Sequence, residues 1–378
     1  MRFRKLMKHI LTWGIAISVV GCGLPAAQAA SSGDRDRDGI PDAWEEHGYD
    51  ADGDGVVDVD LPAMGASPHH KDLFVEMDYM PGLLPPQHEL DLIVESFAEI
   101  PMINPDGSRG IAIHLDAGPA RGDAYDLGGG NEIPHNDLPR GMFDVTRYRQ
   151  SESDPNRRGI FHYMIWGDSY GGQGSSGISW VNGMEFLVTV GPRFWGRASE
   201  GARVGTFIHE LGHNLGLGHG GSDDINGKPQ YLSVMNYRYQ VSGVPRMNNS
   251  RYYGYSTRTM RPLDENALIE SEGFGPSTAG YAYEYRGTNG YQKVAANGPI
   301  DFDGDGTISS TPVAVDINRD GRLTTLAAMS DVRTLRLPAT RIRRVVRSTP
   351  DELTAIPNKL TADLARELES ASSSPQHQ

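Results

Sequence analysis

The stretch His209-Glu210-Leu211-Gly212-His213-Asn214-Leu215-Gly216-Leu217-Gly218-His219 decides how the rest of the chain is read. Residues four apart share one face of a helix, so His209 and His213 can hold one metal ion together. Glu210 sits beside them, where a carboxylate can reach a water held by that metal. Gly216 can take the left-handed backbone that ends a helix, and the chain then turns to bring His219 in as a third ligand. Three imidazoles with an open fourth position are what catalytic Zn2+ requires. A helical wheel separates this reading from a helix of mere core histidines. At about 100° per residue, Val204, Phe207, Ile208, Leu211 and Leu215 cluster on one side, and His209 and His213 point roughly the opposite way. One face packs on a core and the other holds the histidines over a cleft.

The pattern His209-Glu210-x-x-His213-x-x-Gly216-x-x-His219 resembles the metzincin zinc signature. Ser233-Val234-Met235-Asn236-Tyr237, a short distance downstream, is similar to the Met-turn of that clan. The resemblance implies a zinc metalloendopeptidase with Glu210 as general base and with protein or peptide substrates. It implies an α+β fold: a twisted mixed five-stranded sheet, long helices and an irregular C-terminal subdomain. It further implies that Met235 forms an apolar floor beneath the zinc and that Tyr237 binds zinc or stabilises the tetrahedral intermediate. Gly220 follows the third histidine where several branches carry a diagnostic side chain, so the branch stays open.

The chain has 378 residues and is acidic, with a formal charge of −14. That balance argues against nucleic acid and anionic membrane surfaces as main partners. A monomer is the expected state. Cys22 is the single cysteine, so no intramolecular disulfide and no cysteine-based latency switch is available. Stability outside a cell must then come from packing and bound metals.

Residues 1–29 read as a secretion signal: a basic opening, an apolar run at 10–20, and Ala27-Gln28-Ala29 as an A-x-A cleavage site. The apolar run is too short for a permanent membrane span. Val19-Val20-Gly21-Cys22 also resembles a lipobox, in which Cys22 would be lipidated. The protein is therefore expected to be secreted, or else anchored to the cell as a lipoprotein.

Residues 30–70 form an acidic calcium-loop segment. Asp34, Asp36, Asp38, Asp42 and Glu45, with Gly39 at the sharp turn, match the EF-hand loop at positions 1, 3, 5, 9 and 12. Asp50, Asp52, Asp54 and Asp58 repeat the opening, but Leu61 stands at the twelfth position. The pair resembles EF-hand or thrombospondin type-3 calcium repeats, with a solvated acidic linker as the plainer reading. This segment is short for a folding propeptide, although an acidic residue in it could cap the zinc.

The peptidase-like domain is expected at 71–346, with an N-subdomain at 71–219 and a C-subdomain at 220–346. Strands are expected at 71–80, 109–116, 159–166, 177–181 and 185–191, and a helix at 87–99. Residues 117–158 are glycine-rich and polar and read as an excursion from the sheet rather than a separate domain. In the metzincin family the fourth strand is an antiparallel edge that pairs with extended peptide. Ser176, Gly177, Ile178, Ser179 and Trp180 are therefore expected to bind substrate backbone. His114, His162, His69 and His70 read as core or surface histidines. His135 and Asp137 are the candidates for a second, structural zinc.

Within 299–331 lies a calcium-loop insert. Asp301, Asp303 and Asp305 open one loop and Asp316, Asn318 and Asp320 open another, each followed by glycine. Pro312 and Ala327 stand at the twelfth positions, so remaining Ca2+ ligands must come from elsewhere, with Asp331 a possible donor. Residues 333–346 are expected to continue the domain as a strand or helix. Residues 347–378 form a helical or disordered tail, with the helix at 350–369. The rival reading of the whole chain is a calcium-stabilised extracellular adhesion protein with a non-proteolytic zinc site.

Overall fold

The computed structural model describes residues 33–337 and 360–372. The signal segment with Cys22, most of 333–346 and the 350–359 part of the expected helix lie outside the described residues. Five strands form the central sheet: β1 (Asp72–Tyr79), β2 (Ala112–Asp116), β3 (Phe161–Trp166), β4 (Gly177–Ser179) and β5 (Glu185–Val188). Their order is β2-β1-β3-β5-β4, with β4 antiparallel to β5 and every other pairing parallel. The α+β class and the mixed five-stranded sheet are as expected. β1 is buried at every position, because a strand inside a parallel sheet is covered on both faces.

Alternation along the strands decides what covers each face. Seven α-helices are present among the described residues: α1 (Asp42–His47), α2 (Gln87–Ala98), α3 (Met142–Glu152), α4 (Pro192–Trp195), α5 (Glu200–Asn214), α6 (Tyr237–Gln240) and α7 (Ala362–Ser372). Met164, Trp166, Phe186 and Val188 meet Leu90, Ile93 and Phe97 of α2 and Val204, Phe207, Ile208 and Leu211 of α5. Tyr163, Ile165 and Leu187 point the other way, onto Met142 and Val145 of α3.

Helix α3 falls within 117–158, the expected excursion from the sheet, where the sequence pattern marks no element. Its sequence, MFDVTRYRQSE, has too few apolar positions to show a helical stripe. Charged side chains supply part of its buried face instead. Arg149 passes under the sheet and donates to the Phe161 carbonyl at 2.8 Å, beside Glu185 at 3.4 Å.

Beyond α5 the chain forms three short antiparallel pairs: β6 (Val244–Pro245) with β7 (Arg251–Tyr252), β8 (Met260–Asp264) with β11 (Thr325–Ala328), and β9 (Ala282–Gly287) with β10 (Gly290–Ala295). Leu263, Leu268, Phe274, Tyr283, Ile300, Ile317 and Leu326 make a second core there. At the end of the chain, α7 runs to Ser372, past the limit of 369 expected for it. No helix among the described residues is long and apolar enough to cross a membrane.

Candidate metal centre

Helix α5 carries two of the three histidines. The Ser199 side chain accepts from the Ala202 N–H at 3.1 Å and caps its start. The helix stops at Asn214, and Gly216 follows at φ 87, the left-handed turn that returns His219 to the same spot. His209, His213 and His219 are all buried and offer ring nitrogens within 4.8 Å of one another. His209 Nδ1 donates to the Val234 carbonyl and His213 Nδ1 to the Leu217 carbonyl, each at 2.8 Å. With both Nδ1 atoms protonated, both Nε2 atoms carry lone pairs. Those two Nε2 atoms lie 3.1 Å apart. Lone pairs that close repel unless a cation sits between them. Tetrahedral Zn–N bonds of about 2.05 Å would set two nitrogens about 3.3 Å apart. His219 Nε2 is buried without a hydrogen-bond partner.

Burial lowers the basicity of all three rings. It brings His213 down to about 4 and His219 to about 3, and with the two neighbouring rings it takes His209 well below the ordinary range. The neutral imidazole is the form that binds metal. The donor set therefore fits Zn2+.

Glu210, Tyr237, Ser176, Gly177, Ile178 and Ser179 line the same hollow as the three histidines. Gly177 is a steric requirement: a Cβ there would lie 2.6 Å from both Glu210 Oε1 and the Leu187 carbonyl. The Tyr237 ring is 4.5 Å from that of His219 and 5.5 Å from that of His209. Burial, then the Glu210 carboxylate, push its hydroxyl well above the ordinary tyrosine range, so it stays protonated. Met235 is fully buried, and its Sδ would meet a Cβ on Gly212 at 2.4 Å. Its thioether thus packs on α5 one residue before His213. Trp180 points away from the hollow, into the α3 side of the core beside Phe143. No residue of 33–70 borders the hollow, so nothing in that described segment caps it; Leu360, from the end of the chain, does border it.

The first acidic loop converges in part: three of the five expected residues meet, Asp34 and Asp42 stay outside the cluster, and Asp72 enters it. Asp36, Asp38 and Glu45 come together with Asp72 of β1, all four buried. Both Glu45 carboxylate oxygens, Asp36 Oδ2 and Asp34 Oδ1 have no hydrogen-bond partner. Asp42 does not join; it accepts the Arg35 N–H at 2.8 Å and pairs with the Arg35 guanidinium. Burial, reinforced by mutual repulsion, pushes Asp36 up to about 6, Asp38 to about 8 and Glu45 to about 9. In the second loop Asp50, Asp52 and Asp58 approach one another near the surface, and Asp54 turns to the Val56 N–H.

The later loops draw on glutamates the sequence spacing did not single out. Glu270 joins Asp301 and Asp303, and accepts the Phe302 and Ser309 N–H groups at 2.6 and 2.7 Å. Glu265 does the same for the other loop, accepting from Ile317 at 2.8 Å and Thr324 at 2.9 Å. Asp305 is occupied with Thr307. Asp316, Asn318 and Asp320 bond chiefly within their own loop. Asp331 is not a donor to either: it accepts from the Tyr231 hydroxyl at 2.5 Å and the Ser256 N–H at 2.8 Å. His135 and Asp137 do not converge. The first lies 3.3 Å from Asp168 and the second pairs with Arg193 at 2.5 Å. His114 bonds Asp72 at 2.6 Å, and His162 bonds Asn214 at 2.9 Å behind α5.

A family model described as Peptidase M66 matches residues 195–236. That stretch contains all three histidines, Glu210 and Met235, and the match supports a metallopeptidase. No curated protein matches the chain.

Proposed function

We propose that this protein is a secreted, zinc-dependent endopeptidase of metzincin type that hydrolyses peptide bonds in proteins or peptides. The observation that carries the reading is the convergence of three buried, neutral imidazoles beside Glu210. Zn2+ held by His209, His213 and His219 would supply Lewis acidity toward the scissile carbonyl and acidify water at the open position. Glu210 is the base that takes the proton from the attacking water and returns it to the leaving amine. Tyr237, kept protonated by burial, donates a hydrogen bond to the oxyanion as charge develops on it. The Val234 and Leu217 carbonyls hold the His209 and His213 rings in place, because a ligand's second nitrogen needs an acceptor to fix its orientation.

Calcium is the second metal in this reading, with a structural role. Its best-supported position is the Asp36, Asp38, Glu45 and Asp72 cluster, where unpartnered buried carboxylate oxygens call for a cation. The route of export is secretion with cleavage near Ala29, the alternative being anchorage through a lipidated Cys22.

The test is casein or gelatin cleavage by the full chain and by Glu210→Gln, with zinc quantified in both. Cleavage by the parent alone, at equal zinc content, supports both the peptidase reading and the role of Glu210. Zinc in both with cleavage by both removes Glu210 from the chemistry. A chain that takes up no zinc overturns the reading.

A further inference from the structure

The stretch 174–176, which leads into β4 and ends on the first residue of the edge expected to receive substrate, is already paired by the chain's own C-terminal segment. The Ser176 N–H donates to the Leu360 carbonyl at 2.8 Å, and the Ala362 N–H donates to the Gly174 carbonyl at 2.9 Å. Ser175 and Thr361 sit opposite each other as an antiparallel bridge. Leu360 is 1% exposed, packed with Ala202, Tyr237 and Val241, and it borders the hollow that holds Glu210 and the three histidines. A hydrogen bond joins its backbone to the Tyr237 hydroxyl.

Helix α7 anchors Leu360 from its C-terminal side. Thr361 Oγ1 accepts the Leu364 N–H at 3.2 Å and starts the helix. Leu364, Ala365 and Leu368 then pack toward Trp195 and Ala198, in front of α5. Arg366 donates to the Phe194 carbonyl at 2.9 Å. Strand pairing and helix docking together hold a peptide backbone at the border of the hollow that contains Glu210 and the three histidines.

Resting on the peptidase reading above, we propose that residues 360–372 are a resident occupant of the substrate cleft. The substrates that displace them are extended peptides carrying a bulky aliphatic residue where Leu360 sits. Ala202, Tyr237 and Val241 wall an apolar subsite of about leucine size, and an acidic side chain packed among them would lose its hydration. A tethered segment competes at an effective concentration on the order of millimolar. It therefore raises the apparent KM of any peptide that binds the same edge, without changing the chemistry after displacement.

Full-length Leu360→Asp and Leu364→Asp variants test this against the parent, with a fluorogenic leucine-containing peptide as substrate. The expected result is an apparent KM about tenfold lower in both variants, with kcat within about twofold and zinc content unchanged. A synthetic peptide of residues 360–372, fluorescently labelled, should bind the Leu360→Asp chain, and the same peptide with Asp at its first position should not. Binding is read by anisotropy and needs no turnover. Probe binding without hydrolysis of any substrate upholds the occupant and overturns the peptidase reading. No probe binding together with an unchanged KM overturns the occupant.

Discussion

In the proposed reaction Tyr237 is the residue at which chemistry and scaffold can be told apart, because its ring and its hydroxyl face different tasks. The ring packs beside His209 and His219, and the hydroxyl is a donor held protonated by burial. Tyr237→Phe keeps the first and removes the second. It is expected to lower kcat about 10²-fold, the usual effect of losing one oxyanion donor, with KM and zinc content little changed. Steady-state kinetics with zinc analysis checks it; an unchanged kcat would assign the hydroxyl no part in the reaction. Gly177 acts through space rather than through a functional group. Gly177→Ala puts a methyl 2.6 Å from Glu210 Oε1 and from the Leu187 carbonyl, so the carboxylate must turn or β4 must shift. Cleavage should fall at least tenfold while zinc stays bound, since a small misplacement of a catalytic group costs about that or more. These residues are legible in the sequence to different degrees. His209, His213, His219 and Glu210 come from one helix and its exit turn, so sequence spacing encodes their geometry. Asp72, Glu265 and Glu270 come from other elements, and no spacing rule connects them to the loops they serve.

At the scale of elements, α5 is set in place by glycine on the side facing α6. A Cβ at Gly205 would lie 1.7 Å from the Gln240 carbonyl oxygen, and one at Gly201 would lie 2.4 Å from that of Val241. Close approach here lets Gln240 Nε2 reach Ser176 and Thr206, both at 3.1 Å, linking α5 to the residue that precedes β4. An exposed helical Gly→Ala change gains about 1 kcal/mol from propensity. Overpacking costs about 1–3 kcal/mol in typical cores, and a contact this short belongs at the upper end. Gly205→Ala should therefore lower the thermal midpoint, and a rise would mean that α5 and α6 separate freely. The same contrast of local and distant contacts explains which elements can be read from the sequence. β1, β3 and α5 carry their burial as apolar runs or a wheel stripe, and their expected positions lie close to the observed ones. α3 buries Asp144 and Arg149 along with Met142 and Val145, so its pattern looks like loop. The short pairs after α6 depend on partners far along the chain, as β8 and β11 do, and local periodicity cannot register that.

For the molecule as a whole, the N-terminal acidic segment is joined to the central sheet through charge. Asp72 belongs to β1, its N–H donates to Asp38 Oδ2 at 2.7 Å, and its carboxylate bonds His114 of β2. A cation held by Asp36, Asp38, Glu45 and Asp72 would tie the first loop to the start of β1. Without one, the cluster must hold protons instead. Asp36, Asp38 and Glu45 are raised to about 6, 8 and 9, whereas unfolded carboxyls titrate near 4. Between those limits the folded state binds more protons than the unfolded one, so stability falls as pH rises. In calcium-free buffer the thermal midpoint should therefore drop between pH 7 and pH 9, above the range in which unfolded histidines titrate, as Asp38 and Glu45 lose their protons. Millimolar calcium takes the place of the protons and should flatten that fall, with the midpoint gain largest at the alkaline end. Glu45→Gln removes the residue with two unpartnered buried oxygens and one negative charge. It should weaken the calcium response while making the calcium-free protein less sensitive to pH. Thermal melts across pH 7–9, with and without calcium and with zinc content held equal, decide the matter. Parallel curves would mean that no cation occupies this cluster, and that the buried carboxylates are accommodated as protonated acids alone.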